Sequence, residues 1–322
     1  MGACPLFTIL TISILSAPLL SAASSSANRG PMSGRAGKPV AHVRHAAETD
    51  YELTPIPLPE GAIGGGAFFV NNSRAVTGTY FTATGKEHTF IYSKGELETI
   101  ANPDADITSV PSIADNSNIF FGNWGSVTSQ HAGTYNRKTG EWNKFPDIPG
   151  KTLNIGFVRN NSGRAIGQAC EGTFTEPTAC IQWVWNGKQY EYLDFSGLTQ
   201  PRISGLNDRG QISGSYLLAP PFDTRSFLLE DGTLTPLFED KDSSANGIND
   251  QSQILLMLEL SPVELFRPAL YDAGDVTMLP LYPASLQTSW MGLNERGDLA
   301  GLYFNSFNDP PQPVVAWITR QR

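Results

Sequence analysis

One short phrase returns six times along this 322-residue chain, and no other feature limits the fold so tightly. Its cleanest copy is Leu206-Asn207-Asp208-Arg209-Gly210-Gln211-Ile212-Ser213-Gly214. Related copies begin at Val70, Ile248 and Leu293, another at Asn160, and a worn one at Ile113, where Ala114 stands in place of the Asn. Taken at the Asn position (71, 114, 160, 207, 249 and 294), successive copies start 42 to 47 residues apart. Asn-Asp-x-Gly between an apolar residue and an alternating run describes a tight hairpin. The Asn caps its own turn and the Gly takes the left-handed position. A period of this length is that of a propeller blade.

The rest of each unit follows from the hairpin. A strand such as Gln211–Tyr216 comes next, then a looser link, then a third strand at His88–Tyr92, Ile181–Trp185, Ser226–Glu230, Pro268–Asp272 and Val314–Ile318. A second tight turn stands at Lys94-Gly95, Thr139-Gly140, Asn186-Gly187, Asp231-Gly232 and Ala273-Gly274. A fourth strand follows, as in Leu97–Ile100, Tyr190–Phe195, Leu234–Phe238 and Val276–Leu281. Four antiparallel strands make one blade. The expected fold is therefore all-β: a six-bladed β-propeller over residues 51–322. The sixth unit stops after its third strand at Ile318, whereas Tyr51 to Leu58, ahead of the first hairpin, echoes the fourth-strand segment Leu234-Thr235-Pro236-Leu237. This N-terminal strand is expected to close the last blade, removing the open edges of an incomplete array. An open two-sheet sandwich leaves that strand unexplained.

With its apolar residue, Asn, Gly and Ile-x-Gly ending, the phrase resembles the HAF repeats of extracellular bacterial proteins. The name-giving His-Ala-Phe is echoed in His88-Thr89-Phe90 and Arg225-Ser226-Phe227. The resemblance spans roughly residues 51–320 and implies a repeat fold outside the cytoplasm. It carries over no catalytic residues.

Composition agrees with strands and turns. Gly (31) and Pro (23) are frequent and only 16% of residues are charged, which disfavours long exposed helices. A net charge of −9 argues against nucleic acid, whose binding needs Lys and Arg on phosphates. The apolar run Leu6 to Leu20, followed by Ser21-Ala22-Ala23, reads as a signal peptide over residues 1–23. It is too short to span a bilayer comfortably. Because Met1 to Cys4 lacks a Lys or Arg, an uncleaved anchor stays open as the alternative. Residues 24–50 are small, polar and basic, and read as a disordered linker. The expectation is a secreted or periplasmic monomer with no stable membrane span after cleavage. Cys170 and Cys180 then remain as a pair, most simply a disulfide.

Link lengths point to a working face. First-to-second and third-to-fourth links are tight. Second-to-third links read as long, at 81–87, 125–132, 168–179, 217–224, 258–266 and 304–312, and emerge on the same side as the links between blades. Variable segments on a rigid scaffold usually carry function. Phe81, Trp124, Phe174, Phe222, Phe304 and Phe307 on that side are candidate binding residues, since flat rings give contact area at low entropy cost. Asp104 and Asp106 in one link would suit a calcium ion or an acid pair, though a solvated Pro-Asp-Ala-Asp turn explains them as well. No serine elbow, phosphate loop or zinc motif occurs. No cofactor or metal is expected beyond that calcium alternative. Three functions compete: a propeller binding a glycan, peptide or protein; a propeller hydrolase or lyase using acidic residues at the central mouth; and a structural surface protein.

Overall fold

The computed structural model describes residues 43–46, 50–219, 223–260, 266–306 and 308–319. The signal segment and most of the linker lie outside the described residues. Within the linker, Val43–His45 forms a short exposed strand, β1. Strand β2 (Tyr51–Pro55) follows. Antiparallel sets then succeed one another. The first is β3 (Ala62–Val70), β4 (Val76–Thr82), β5 (Glu87–Ser93) and β6 (Glu96–Ile100). The second is β7 (Ile107–Ile113), β8 (Ile119–Ser126), β9 (Ser129–Asn136) and β10 (Glu141–Lys144). The third is β11 (Leu153–Arg159), β12 (Ala165–Gly172), β13 (Pro177–Trp185) and β14 (Tyr190–Tyr192). The fourth is β15 (Thr199–Leu206), β16 (Ile212–Ala219), β17 (Asp223–Glu230) and β18 (Thr233–Pro236). The fifth is β19 (Ser243–Ile248), β20 (Ile254–Leu258), β21 (Arg267–Asp272) and β22 (Asp275–Met278), with β1 added in parallel at its outer edge. The last is β23 (Gln287–Leu293), β24 (Leu299–Phe304) and β25 (Gln312–Ile318). Its outer strand is β2, with Tyr51 opposite Ile318 and Pro55 opposite Val314. Single parallel contacts, Glu87 with Ile107 and Gln130 with Leu153, link the first three sets into one hydrogen-bonded sheet.

The hairpin chemistry is as the sequence implies. The residue three after each repeat Asn has positive φ in every copy. It is Gly163, Gly210 and Gly297 where glycine is present, and Arg74, Ser117 and Ser252 where it is not. The Asn side chain caps its turn: Asn207 Oδ1 accepts from the Gln211 N–H at 2.9 Å and Asn294 Oδ1 from the Asp298 N–H at 2.9 Å. The Gly ending the phrase has a packing reason. A Cβ on Gly214 would stand 2.3 Å from the Arg202 carbonyl and 2.4 Å from the Phe227 ring.

The same Asn also binds the next set. Asn160 Nδ2 donates to the Asn207 carbonyl, Asn207 to that of Asn249, Asn249 to that of Asn294, and Asn294 to that of Asn71. Asn71 donates to the Ala114 carbonyl, and only Ala114 has no amide to pass on. A second series uses the following residue. The backbone N–H of Asn72, Asp115, Asn161, Asp208 and Asp250 each donates to the side chain of the next, ending at Glu295, whose own N–H donates to Asn72. The second series thus returns to its start, whereas the first joins the last set to the first through Asn294 and Asn71 and breaks off at Ala114. Arg74 adds a bidentate pair with the fully buried Asp298 of the last set, at 3.1 and 2.9 Å, and lies over the Trp317 ring.

Apolar clusters fill the spaces between consecutive sets. Ala75 and Ile91 pack with Val110 and Phe120, Phe121 with Ala165 and Trp183, and Ile166 with Ile203 and Phe227. Ala300 and Val315 of the last set pack against Val76 and Phe90 of the first. Burying faces of adjacent sheets in this way is the main favourable term.

Several links are shorter than the sequence implies. Strands β8 and β9 are joined through Val127 and Thr128 alone, and β12 and β13 through residues 173–176, because their polar ends keep pairing beyond the expected boundaries. Fourth strands end earlier than expected, as at Tyr192 and Pro236.

Candidate functional site

Each innermost strand carries a β-bulge at the same point. The register slips around Phe68 in β3, around Val110 and Pro111 in β7, Phe157 in β11, Ser204 in β15, Asn246 in β19 and Met291 in β23. A bulged residue has no partner opposite it and is re-aimed. Here Phe68, Pro111, Phe157, Ser204, Asn246 and Met291 all line one cavity of about 910 Å³. Its walls continue along the link side through Phe81, Phe174, Pro177, Phe195, Phe266 and Phe304. Phe69, Leu206, Ile248 and Leu293 line both this cavity and a small polar recess among the repeat turns, and so separate the two.

Amides and hydroxyls are interspersed along the walls, and charged groups are few. Glu87, at the start of β5, is buried and lines the cavity. Burial raises its pKa to about 7, offset in part by the Thr79 and Ser109 hydroxyls. It is the one carboxylate among the described lining residues, and Arg202 of β15 is the one cation. Gln182 lies between them in chemistry: its Nε2 donates to the Pro201 carbonyl at 3.3 Å, while its buried Oε1 has no hydrogen-bond partner among the described residues. The Cys170–Cys180 disulfide ties β12 to β13 beside this wall, with Cys170 buried and Cys180 lining the cavity. The hairpin it fixes reaches the neighbouring set, where the Phe174 N–H donates to the Val127 carbonyl at 2.7 Å.

The sequence-selected residues divide. Phe81, Phe174 and Phe304 reach the cavity. Trp124 does not; it is buried edge-on against Trp142, ring centroids 4.7 Å apart, because β8 and β9 pair through it. Asp104 and Asp106 are exposed, and neither lines the cavity. Phe222 and Phe307 lie outside the described residues. Among the described residues no group of three or more His, Cys, Asp or Glu is placed to hold a metal ion. Glu87, Arg202 and the bulged collar escaped sequence reading; the only trace of the collar is its constant place three residues before each repeat Asn.

Ile63, Val127, Tyr192, Leu218 and Leu286 are exposed large hydrophobics, and each sits at a strand end or link on the cavity side. Among the described residues no helix is long and apolar enough to cross a membrane.

No family model and no curated protein matches the chain. Solved structures do. A gluconolactonase from Xanthomonas campestris aligns with 88% of this chain and 99% of its own at a TM-score of 0.54 and 11% identity. An oligogalacturonate lyase in complex with manganese aligns with 86% and 95% at a TM-score of 0.53 and 12% identity. An acylaminoacyl peptidase from Pyrococcus horikoshii aligns with 76% of this chain at 17% identity and a TM-score of 0.49, and the match spans 43% of the peptidase. At these identities the likeness concerns the fold: an all-β, propeller-like architecture.

Proposed function

We propose that this chain is an exported, closed six-bladed β-propeller of the HAF-repeat kind that binds a glycan or a peptide in its central mouth. The observation that carries the binding role is the cavity of about 910 Å³, within the range of ligand pockets, lined by phenylalanines with amides and hydroxyls interspersed among them. Closure is supported by β2 docking on β25 and by hydrogen-bond series that return to Asn71 and Asn72. Export is supported by the disulfide, a bond rare in reducing compartments. A catalytic role would rest on Glu87, whose pKa near 7 suits a general acid, but glycoside chemistry asks for a second carboxylate beside it. Binding is therefore the better reading.

Arrays of glycans and peptides probed with the purified chain test it. A defined subset should be retained, and Phe304→Ala should weaken that retention by about tenfold, roughly 1.4 kcal/mol, without changing the melting temperature. Retention of nothing, or retention indifferent to Phe304→Ala, would overturn the binding role. Turnover of an arrayed compound, lost in Glu87→Gln, would favour catalysis instead.

A further inference from the structure

Arg202 stands alone in the cavity wall. None of the ion pairs of the described residues includes it, and the arginines that are paired, such as Arg74, Arg137 and Arg225, meet carboxylates elsewhere. Its side chain is open to the water of the cavity, yet protein crowds it enough that desolvation lowers its pKa. A guanidinium without an ion-pair partner that lines a cavity is an available counter-charge for an anion entering there. Next to it in the chain, the Pro201 carbonyl accepts from Gln182 Nε2 at 3.3 Å, which fixes this stretch of the wall. Opposite in character are Phe157, Phe195 and Phe304, which line the same cavity and offer contact area to an apolar body.

We infer that the cavity takes an organic anion, its acidic head paired with Arg202 and its ring or apolar body against the phenylalanine wall. This rests on the reading of the cavity as a ligand site and adds the charge class of the ligand. The protein as a whole is acidic, with a net charge of −9, so general surface attraction cannot produce a preference for anions. Such a preference has to come from a local cation. A guanidinium suits carboxylate and sulfonate heads because its planar donors match two oxygens at once.

Two fluorescent probes separate the possibilities: 8-anilinonaphthalene-1-sulfonate and its uncharged counterpart N-phenyl-1-naphthylamine. Titrated into the full chain, the sulfonate should saturate at one site and bind about tenfold tighter than the neutral probe. Arg202→Gln should remove that advantage and leave the neutral probe unchanged, while Arg202→Lys should keep most of it. Raising salt should weaken the sulfonate alone, a readout that needs no variant. Equal affinity of the two probes, or an anion preference that survives Arg202→Gln, would overturn the inference while leaving the cavity a ligand site. Failure of both probes to saturate would overturn the inference and the ligand site together.

Discussion

The repeat Asn shows how much one side chain can do. Its Oδ1 caps the local turn, which turn grammar makes legible in sequence. Its Nδ2 reaches a backbone carbonyl 42 to 47 residues away, which carries no side-chain signature to read. Glu87 was hidden for a similar reason. After Lys86 it looks like an ordinary solvated acid, and only the meeting of β5 with the neighbouring inner strand buries it. Its pKa, raised from 4.5 to about 7 by burial, means that the folded chain holds this proton more tightly than the unfolded one. The stability it supports is full below about pH 4.5 and is lost as pH rises towards 7. Glu87→Gln should therefore gain on the wild type between pH 5 and pH 8, by on the order of 3 kcal/mol in urea unfolding. Asp242 and Glu295, also raised chiefly by burial, titrate in both proteins and drop out of the difference. A constant gap between the two across that window would refute the assignment.

At the scale of the element, what was legible followed from period and punctuation. Hairpins, second turns and the place of β2 came from Asn, Gly and the Leu-Thr-Pro echo, each a local signal. Bulges and true link lengths were not legible, because both depend on register between strands, and a slip of one residue leaves no mark in composition. That is why 125–132 read as a long link although β8 and β9 pair through most of it. The docking of β2 gives the sharpest test at this scale. Removing Tyr51 to Leu58 exposes the edge of β25 and strips Tyr51 and Ile56 from two apolar clusters. The truncated chain should lose several kcal/mol, on the order of 2–3 for each of these two side chains, and aggregate on heating. A synthetic peptide of these eight residues, added in trans, should restore the melting temperature in part. Unchanged melting of a soluble truncated monomer would show that the strand is an ornament.

For the whole molecule, the amide series has a gap at Ala114, bridged in part by Asn161 with Asp115 and by the Ser112 hydroxyl with Arg159. Ala114→Asn should supply the missing donor to the Asn160 carbonyl and raise stability by about 1 kcal/mol, seen as a higher urea midpoint with the same slope. No gain would mean that the two bridges already do its work. The pairing of β2 with β25 also bears on the order of events in a cell. Strand β2 finds its neighbour only when residues 312–318, five strand sets further along the chain, are available. If the chain is exported as proposed, with β2 ahead of β25, the pairing cannot form while the two lie on opposite sides of the membrane. Under that reading β2 waits without its partner strand until residues 312–318 have followed it across.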